Sequence, residues 1–421
     1  MPEIRSEYSS RLNFFGRTTP AALAGEFGTP LYVYNEAVLR QRCRELRALS
    51  ALPGFSPCYS TKANGNPHLL RLIREEGLQA DAMSPGEVAL LRAAGFSREE
   101  ICYVCNNVSA GELAFAAQNA AVVSVDSVAQ IEAFGRVNPG GEIMVRLNPG
   151  IGAGHHQKVV TAGKNTKFGV VPEDFAAMSA ALARHRLKLI GLNQHVGSLF
   201  LDPGPYLEAV AWLLDVARCF LPLRILDFGG GFGMPYHKYE AEARLDLAET
   251  GRRLEDLLSP WIRETGFSGR LVIEPGRYIV AESAILLGRV QAVKNNGPVR
   301  YVGTDIGFNT LIRPAMYDSF HDLEIYPLED SPRTALAQTI VGNICETGDI
   351  LAKDRLLPEI LEQDLLGVLD AGAYGYSMSS SYTQRFRPAE VLIRADGSPG
   401  LIRRRETAED LLALVVDPVK G

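Results

Sequence analysis

Along the first two thirds of the chain, short apolar runs alternate with segments whose apolar residues recur at helical spacing. This alternation predicts strands separated by amphipathic helices, since a strand needs about four to eight apolar residues and a helix shows a period of about 3.6. The eight predicted strands are Cys58–Lys62, Gln79–Ser84, Ile101–Asn106, Val122–Asp126, Ile143–Asn148, Leu189–His195, Arg224–Gly229 and Leu271–Glu274. The predicted helices are His68–Glu76, Pro85–Ala94, Ala110–Ala120, Val128–Val137, Pro172–His185, Tyr206–Phe220 and Leu245–Glu264.

Eight strands that alternate with helices over about 250 residues are typical of a (β/α)8, or TIM, barrel. Polar residues such as Lys62, His195, Gly229 and Glu274 come at the carboxyl ends of the predicted strands. In TIM barrels the carboxyl ends of the strands form the active-site face. A doubly wound open sheet is the rival interpretation, and it gives a less natural place for chemistry at both the first and the last strand.

The pattern changes after residue 282, where strands follow one another with few helices between them. Two hairpin-type turns, Asn296-Gly297 and Asp396-Gly397, belong to this part. We therefore predict an α/β barrel domain over residues 35–282 and an all-β domain, a sandwich or barrel, formed by residues 1–34 and 283–421. The predicted strands of the second domain are Leu31–Tyr34, Ala284–Val293, Val299–Thr304, Ala335–Gly342, Leu365–Asp370 and Glu390–Ala395.

Composition narrows the class of protein further. The 421 residues are 46% hydrophobic and 22% charged, as in a globular protein of two domains. The net charge of −6 without long blocks of one sign argues against a nucleic-acid partner. The segment Met1–Pro20 lacks a signal-peptide core, and the best apolar stretch, Ala209–Ala217, contains Asp215, so no membrane span is expected.

The six cysteines are scattered, which favours reduced thiols and a cytoplasmic location. The pair Cys102 and Cys105 lacks a second pair of ligands, so we predict no metal site there. The stretch around His155 and His156 is rich in glycine and lysine but has no carboxylate at ligand spacing, and it is interpreted as a mobile lid or loop.

Four segments together supply what pyridoxal 5′-phosphate requires. Lys62 offers an amine for the cofactor aldehyde, Gly229–Gly231 can approach a phosphate closely, His195 can stack on a ring, and Glu274 can pair the pyridine nitrogen. Each also has a structural interpretation: a surface lysine, a tight turn, a core histidine, or a salt bridge from Glu274 to Arg277. A Rossmann fingerprint fits poorly, because the residues after the glycines do not open a helix.

The side chain that pairs with the pyridine nitrogen of the cofactor influences which reaction is favoured. A carboxylate keeps the pyridine ring protonated, so that the ring accepts electrons strongly from the substrate Cα. An arginine would leave the ring neutral and the electron sink weaker. Glu274 therefore favours decarboxylation over racemisation.

Ten ordered segments along nearly the whole chain form a recognisable set. They are Tyr59–Asn64, Arg146–Gly150, Lys167–Gly169, His195–Ser198, Asp227–Gly233, Glu274–Val280, Cys345–Asp349, Asp370–Met378, Arg387–Val391 and Leu401–Thr407. Together they resemble the fold-type III pyridoxal-phosphate decarboxylases, and within them the diaminopimelate decarboxylases. The resemblance implies an alanine racemase-like barrel with the cofactor on Lys62, a β-domain, and a head-to-tail homodimer with shared active sites.

The resemblance also implies residue roles. Lys62, His195 and Cys345 are the expected catalytic residues, and Cys345 would come from the second subunit and return a proton to Cα. The residues expected to hold the cofactor are Lys62, Asp81, His195, Ser198, Gly229, Gly230, Gly231, Glu274, Gly276, Arg277 and Tyr374. Those expected to bind substrate are Arg277, Arg313, Tyr317, Glu346 and Tyr374.

The implied reaction is conversion of meso-2,6-diaminopimelate to L-lysine and carbon dioxide, with the far carboxylate bound by the two arginines. The sequence departs from the family at Ser381 and Thr383, where asparagines are usual, and at Asn343, where proline is common. These departures leave open another diamino acid or a carboxynorspermidine-like substrate. A non-catalytic homologue is a further alternative, against which Lys62, Cys345 and Glu346 speak.

Overall fold

A computed structural model describes residues 6–150, 153–154, 166–240, 242–329 and 331–416. The chain divides into two compact units. The barrel unit comprises Arg40–Pro235 and Ala243–Ile279, and the sheet unit comprises Met1–Leu39, Tyr236–Glu242 and Val280–Gly421. The loop predicted around His155 and His156 lies outside the described residues.

Numbered along the chain, the strands are β1 (Leu31–Asn35), β2 (Phe55–Ser60), β3 (Gln79–Ala82), β4 (Ile101–Val104), β5 (Val122–Val125), β6 (Glu142–Arg146), β7 (Ala153–Gly154), β8 (Lys188–Asn193), β9 (Gly197–Ser198), β10 (Ile225–Asp227), β11 (Arg270–Ile273), β12 (Ala284–Asn296), β13 (Val299–Thr304), β14 (Leu323–Tyr326), β15 (Ala335–Val341), β16 (Ile350–Pro358), β17 (Leu365–Val368), β18 (Ala389–Ile393) and β19 (Pro399–Arg403). The α-helices are α1 (Glu7–Arg11), α2 (Pro20–Phe27), α3 (Glu36–Arg47), α4 (Pro67–Glu75), α5 (Pro85–Ala93), α6 (Ala110–Asn119), α7 (Val128–Val137), α8 (Phe175–Arg184), α9 (Gly204–Ala217), α10 (Leu247–Thr265), α11 (Arg277–Val280), α12 (Arg313–Tyr317) and α13 (Ala408–Leu412).

The barrel unit is built on eight parallel strands that close in the order β2-β3-β4-β5-β6-β8-β10-β11. Leu271 of β11 pairs with Phe55 of β2, so the last strand returns to the first and the rival open sheet is wrong. The predicted TIM barrel is therefore confirmed, with each strand where an apolar run was found. The buried cluster on these strands consists of Cys58, Val122, Met144, Ile190, Ile225 and Val272.

Helices of the barrel unit begin at residues that satisfy their first backbone N–H groups. The Ser84 hydroxyl accepts from the Glu87 N–H at 3.2 Å at the start of α5, and the Ser109 hydroxyl accepts from the Glu112 N–H at 3.2 Å at the start of α6. Such N-caps stabilise a helix by about 1 kcal/mol. The Ser84 hydroxyl therefore serves as a helix cap.

The sheet unit contains nine strands in one branched sheet, with the main order β16-β15-β13-β12-β1-β18-β19. The long strand β12 is the branch point, because its first part pairs with β1 and β17 and its second part pairs with β13. Strand β1 lies between β12 and β18, as expected for an N-terminal strand that belongs to this unit. The prediction of a second, mostly sheet domain is confirmed, whereas β14, β16 and β19 were not predicted.

One short segment leaves the barrel and joins the sheet unit. Tyr236–Glu242 follows the glycine-rich loop after β10 in the chain but groups with the sheet residues. There the Tyr239 hydroxyl donates to Glu324 at 2.8 Å, and the Tyr239 N–H donates to Asp322 at 3.1 Å. Among the described residues, no helix is both long and apolar enough to cross a membrane.

Candidate active site

Lys62 follows the first strand of the barrel. Strand β2 ends at Ser60, and a single 3-10 turn, Thr61–Ala63, carries Lys62 at its centre. Thr61 and Ala63 are buried while Lys62 is exposed, so the turn is anchored on both sides of the lysine. The lysine therefore lies on the face of the barrel that holds the carboxyl ends of the strands.

Three buried carboxyl groups, Asp81, Asp227 and Glu274, occupy the same end of the barrel. The Ser60 hydroxyl donates to the Asp81 carboxylate at 2.7 Å and lies 3.2 Å from the Glu274 carbonyl oxygen. Burial, reinforced by Asp227, raises the pKa of Glu274 well above its usual range, although Lys62 opposes that shift. Burial likewise raises the pKa of Asp227 to about 7. Such a cluster is costly unless a cation or a donor meets it.

One carboxyl oxygen of Glu274 lacks a hydrogen-bond donor. Its Oε1 atom is buried and has no hydrogen-bond partner among the described residues. Buried polar atoms are nearly always paired, so an orphaned carboxyl oxygen points to a ligand that supplies an N–H. A protonated pyridine nitrogen is such a donor.

Arg146, the last residue of β6, was not predicted as part of the site. Burial lowers the pKa of its guanidinium, while Glu274, Asp126 and Asp227 counteract that shift. Its Nη2 donates to the His195 carbonyl oxygen at 3.3 Å, and the guanidinium lies 4.6 Å above the Phe168 ring. Arg146 therefore places a positive charge near the buried carboxylates.

His195 is held in one tautomer. Its Nδ1 accepts the Gly230 N–H at 3.0 Å, so the ring proton is assigned to Nε2. Burial, followed by the charges of Lys62 and Arg146, lowers the pKa of His195 well below its usual range. A neutral, oriented imidazole can stack on an aromatic ring without adding a further charge.

The backbone N–H groups of the glycine run after β10 have different partners. The Gly229 N–H donates to Asp227 at 2.9 Å and the Gly230 N–H donates to His195, whereas the Gly231 N–H has no acceptor among the described residues. Gly231 has a φ of 104°, and a Cβ there would lie 2.6 Å from the Gly197 carbonyl oxygen. Only glycine fits this position, and its N–H is the one that can meet a phosphate.

Arg277 and Ser198 lie beside this run. The buried Arg277 donates to the Ser198 hydroxyl from Nε at 3.3 Å and from Nη2 at 3.1 Å. A Cβ at the neighbouring Gly276 would come within 3.0 Å of the Ser60 Cβ, so the backbone passes close to the first strand. Ser198 follows the sixth barrel strand, and Gly276 and Arg277 follow the eighth. Together with the glycine run after the seventh strand, they lie where TIM barrels commonly bind phosphate.

The sheet unit presents Cys345 and Glu346 on the loop between β15 and β16. Both side chains are exposed, and the Tyr382 hydroxyl donates to Glu346. Asp349 closes the loop, because its carboxylate accepts the Ile344 and Phe308 N–H groups at 2.7 Å each. The thiol and the carboxylate are thus displayed on a fixed loop.

Arg313 begins α12 in the same unit and is only 2% exposed. Its Nη1 lies 2.8 Å from Nε2 of His321, and its guanidinium lies 4.8 Å above the Tyr236 ring. Tyr317 ends the helix and is half-buried. Tyr374 has a φ of 58° in a turn of small residues after β17.

The predicted residues therefore fall into two sets. The barrel unit holds Lys62, Asp81, His195, Ser198, Gly229, Gly230, Gly231, Glu274, Gly276 and Arg277. The sheet unit holds Arg313, Tyr317, Cys345, Glu346 and Tyr374. In the described part of the chain, no group of three or more His, Cys, Asp or Glu side chains could hold a metal ion.

Residues 37–281, which are more than half of the chain, match the family model for the pyridoxal-binding domain of pyridoxal-dependent decarboxylases. The chain belongs to this decarboxylase family. Its cofactor is accordingly pyridoxal phosphate, and the orphaned Glu274 oxygen, the glycine at 231 and the exposed Lys62 fit that group.

Relatives of this decarboxylase match over nearly their full lengths. The diaminopimelate decarboxylase of Methanothermobacter thermautotrophicus is 40% identical over 98% of this chain and 97% of its own. That of Aquifex aeolicus is 36% identical over 99% and 100%. The crystal structure of diaminopimelate decarboxylase from Helicobacter pylori complexed with L-lysine has a TM-score of 0.86 at 29% identity, covering 94% of this chain and 99% of that one.

Proposed function

We propose that this decarboxylase converts meso-2,6-diaminopimelate to L-lysine and carbon dioxide, the last step of lysine biosynthesis. The observation that carries the chemistry is the buried Glu274 oxygen without a partner, at the same end of the barrel as Lys62. The substrate assignment is supported by relatives named diaminopimelate decarboxylase, which match over nearly their full lengths, and by the L-lysine bound to the Helicobacter pylori protein.

The barrel residues would hold and tune the cofactor. When bound, pyridoxal phosphate supplies an electron sink for the pair left at Cα after carbon dioxide departs. Lys62 would provide the amine that anchors it, and Glu274 would accept the hydrogen bond of the pyridine N–H and keep that nitrogen protonated. Neutral His195 would stack on the ring. Ser198, Gly231 and Arg277 would contact the phosphate.

The residues of the sheet unit, together with Arg277 of the barrel unit, would bind the substrate, and one of the sheet residues would return a proton. Arg277 and Arg313 would bind the far carboxylate, assisted by Tyr317, and Tyr374 would contact phosphate and substrate. A diamino acid with a single carboxylate, such as lysine or ornithine, has no far carboxylate. It would leave a buried arginine unpaired, which can cost about 10⁴-fold in discrimination. Cys345 would protonate Cα.

We also infer a homodimer in which the loop with Cys345 and Glu346 enters the active site of a second copy, where Glu346 pairs the far amine. Both side chains are exposed on the isolated chain, as this arrangement requires. A reducing, cytoplasmic location is supported by six cysteines that are all free in the described residues.

The test is carbon dioxide release from a panel of meso-diaminopimelate, L- and D-lysine, L- and D-ornithine, and arginine. We expect turnover of meso-diaminopimelate alone, and loss of both turnover and the visible absorption of bound cofactor in Lys62→Ala. Comparable turnover of lysine or ornithine would overturn the substrate assignment. A cofactor band that survives Lys62→Ala would overturn the role of Lys62.

A further inference from the structure

A cluster of three buried charges lies in the sheet unit, apart from the residues assigned to the reaction. Lys238 Nζ lies 2.8 Å from a Glu282 carboxyl oxygen and 3.2 Å from an Asp370 carboxyl oxygen. The three side chains are 6%, 1% and 0% exposed, respectively. One ammonium thus serves two carboxylates in the interior of the unit.

The cluster depends on Lys238 for its balance of charge. Burial lowers the pKa of Lys238, but Asp370 and Glu282 outweigh that effect and raise it above the usual range. Burial raises the pKa of Asp370 to about 7. The Tyr8 ring lies 4.9 Å from Nζ and covers the cluster on one side. Removal of the ammonium would leave two buried carboxylates without a cation, which is strongly unfavourable.

The two carboxylates stand on two chain segments that lie against each other. Glu282 is in the 3-10 turn Ala281–Ser283, and Asp370 opens the turn Asp370–Gly375. The Gly372 N–H donates to the Ala281 carbonyl at 3.1 Å, so the backbones of the two segments are in direct contact. Lys238 donates a hydrogen bond to Glu282 on one segment and forms an ion pair with Asp370 on the other, so it links the two segments.

The clamped turn carries Tyr374. Asp370 and Tyr374 both have a φ of 58°, an unfavourable conformation for residues other than glycine. A turn with two such residues persists only where its surroundings hold it. The ion pair to Lys238 is a contact that acts on the first of them directly.

We propose that Lys238 is a positioning residue, which holds the turn Asp370–Gly375 against Ala281–Ser283 and thereby fixes Tyr374. The functional part of this inference rests on the proposed function, in which Tyr374 meets the cofactor phosphate and the substrate. Lys238 itself is assigned no contact with either.

The decisive variant is the charge-balanced Lys238→Met/Glu282→Gln/Asp370→Asn in the holoenzyme. It removes the cation and both carboxylates, so no member of the cluster is left as an unpaired buried charge, and asparagine tolerates the φ of residue 370. We expect an unfolding temperature close to that of the wild type. Because the clamp is absent, we expect the dissociation constant of pyridoxal phosphate and the KM for meso-diaminopimelate to rise about tenfold.

Tyr374→Phe completes a double-mutant cycle. If Lys238 acts through Tyr374, adding Tyr374→Phe to the charge-balanced variant causes little further loss of cofactor affinity. Lys294→Met, which removes an exposed lysine of the same unit, serves as the control and should change neither quantity. The single variant Lys238→Met should lower the unfolding temperature, and the two further substitutions, Glu282→Gln and Asp370→Asn, should restore it.

Two results would overturn the proposal. Recovery of cofactor affinity together with stability in the charge-balanced variant would make Lys238 a purely structural residue. Full additivity with Tyr374→Phe would show that the two side chains act independently. Cofactor affinity is measured without turnover, so a different substrate would refute the proposed function while leaving this test intact.

Discussion

Gly231→Ala is the substitution that tests the phosphate loop most directly. A Cβ at residue 231 would lie 2.6 Å from the Gly197 carbonyl oxygen, well inside van der Waals contact, at a φ of 104°. The left-handed conformation costs a side chain about 1–2 kcal/mol, and overpacking adds about 1–3 kcal/mol. We therefore expect the free energy of unfolding to fall by about 2–5 kcal/mol.

Cofactor binding should suffer separately from stability. Relief of the overlap must move Gly231 away from Gly197, and its N–H would move with it. Loss of a charge-assisted hydrogen bond to phosphate costs about 1.5–3 kcal/mol, or about 10–150-fold in the dissociation constant. The assay is titration of the cofactor-free protein with pyridoxal phosphate, alongside urea unfolding.

Gly266→Ala is the matched control for this experiment. Gly266 ends α10 of the same unit with a φ of 67°, and a Cβ there would meet no atom within 4 Å. Only the conformational cost of about 1–2 kcal/mol applies, and cofactor affinity should not change. Equal cofactor affinity in Gly231→Ala and Gly266→Ala would refute the role given to the Gly231 N–H.

Three further predictions concern single side chains. Arg313→Ala should lower kcat/KM for meso-diaminopimelate by about 10²–10⁴-fold while the cofactor absorption persists, and equal damage to both would indicate a structural role. Asp227 has its pKa raised by burial to about 7, so the folded protein holds that proton more tightly than the unfolded chain and loses stability as pH rises from about 4 to 7. In urea unfolding of the cofactor-free protein, Asp227→Asn should remove this fall in the free energy of unfolding between about pH 4 and 7. A difference in stability between Asp227→Asn and wild type that is the same at every pH would contradict the prediction. Arg333→Met should lower the free energy of unfolding by about 3–5 kcal/mol, because it strands the buried Asp364 that Arg333 contacts at 2.8 Å; a loss under about 1 kcal/mol would contradict it.

The barrel could be predicted because its strands are uniform. Each is a short apolar run with a polar residue or glycine at its end or within two residues after it, and the helices between them have clear periods and caps. The three missed strands of the sheet unit have mixed patterns. Strand β14 buries Glu324, strand β16 carries Lys353, Asp354 and Arg355 in its middle, and strand β19 begins with Pro399 at the edge of the sheet.

The site residues that could be predicted are those in the turns directly after barrel strands. Lys62 and the glycines after β10 stand directly behind strands and stand out in the sequence. Arg146 and Asp227 are the last residues of strands β6 and β10, and they were counted as part of the apolar runs that predicted those strands. A charged side chain at the last position of a buried parallel strand is the signal that could have found both.

The chain passes between the two units four times, after residues 39, 235, 242 and 279. A gene fragment that ended at the last of these points would still encode Lys238 and Tyr239 but not their carboxylate partners Glu282, Asp370 and Glu324. A chimera that receives the barrel of a relative should therefore keep its own residues 236–242 together with its own sheet unit. Otherwise the segment from the donor would face carboxylate partners with which it does not match.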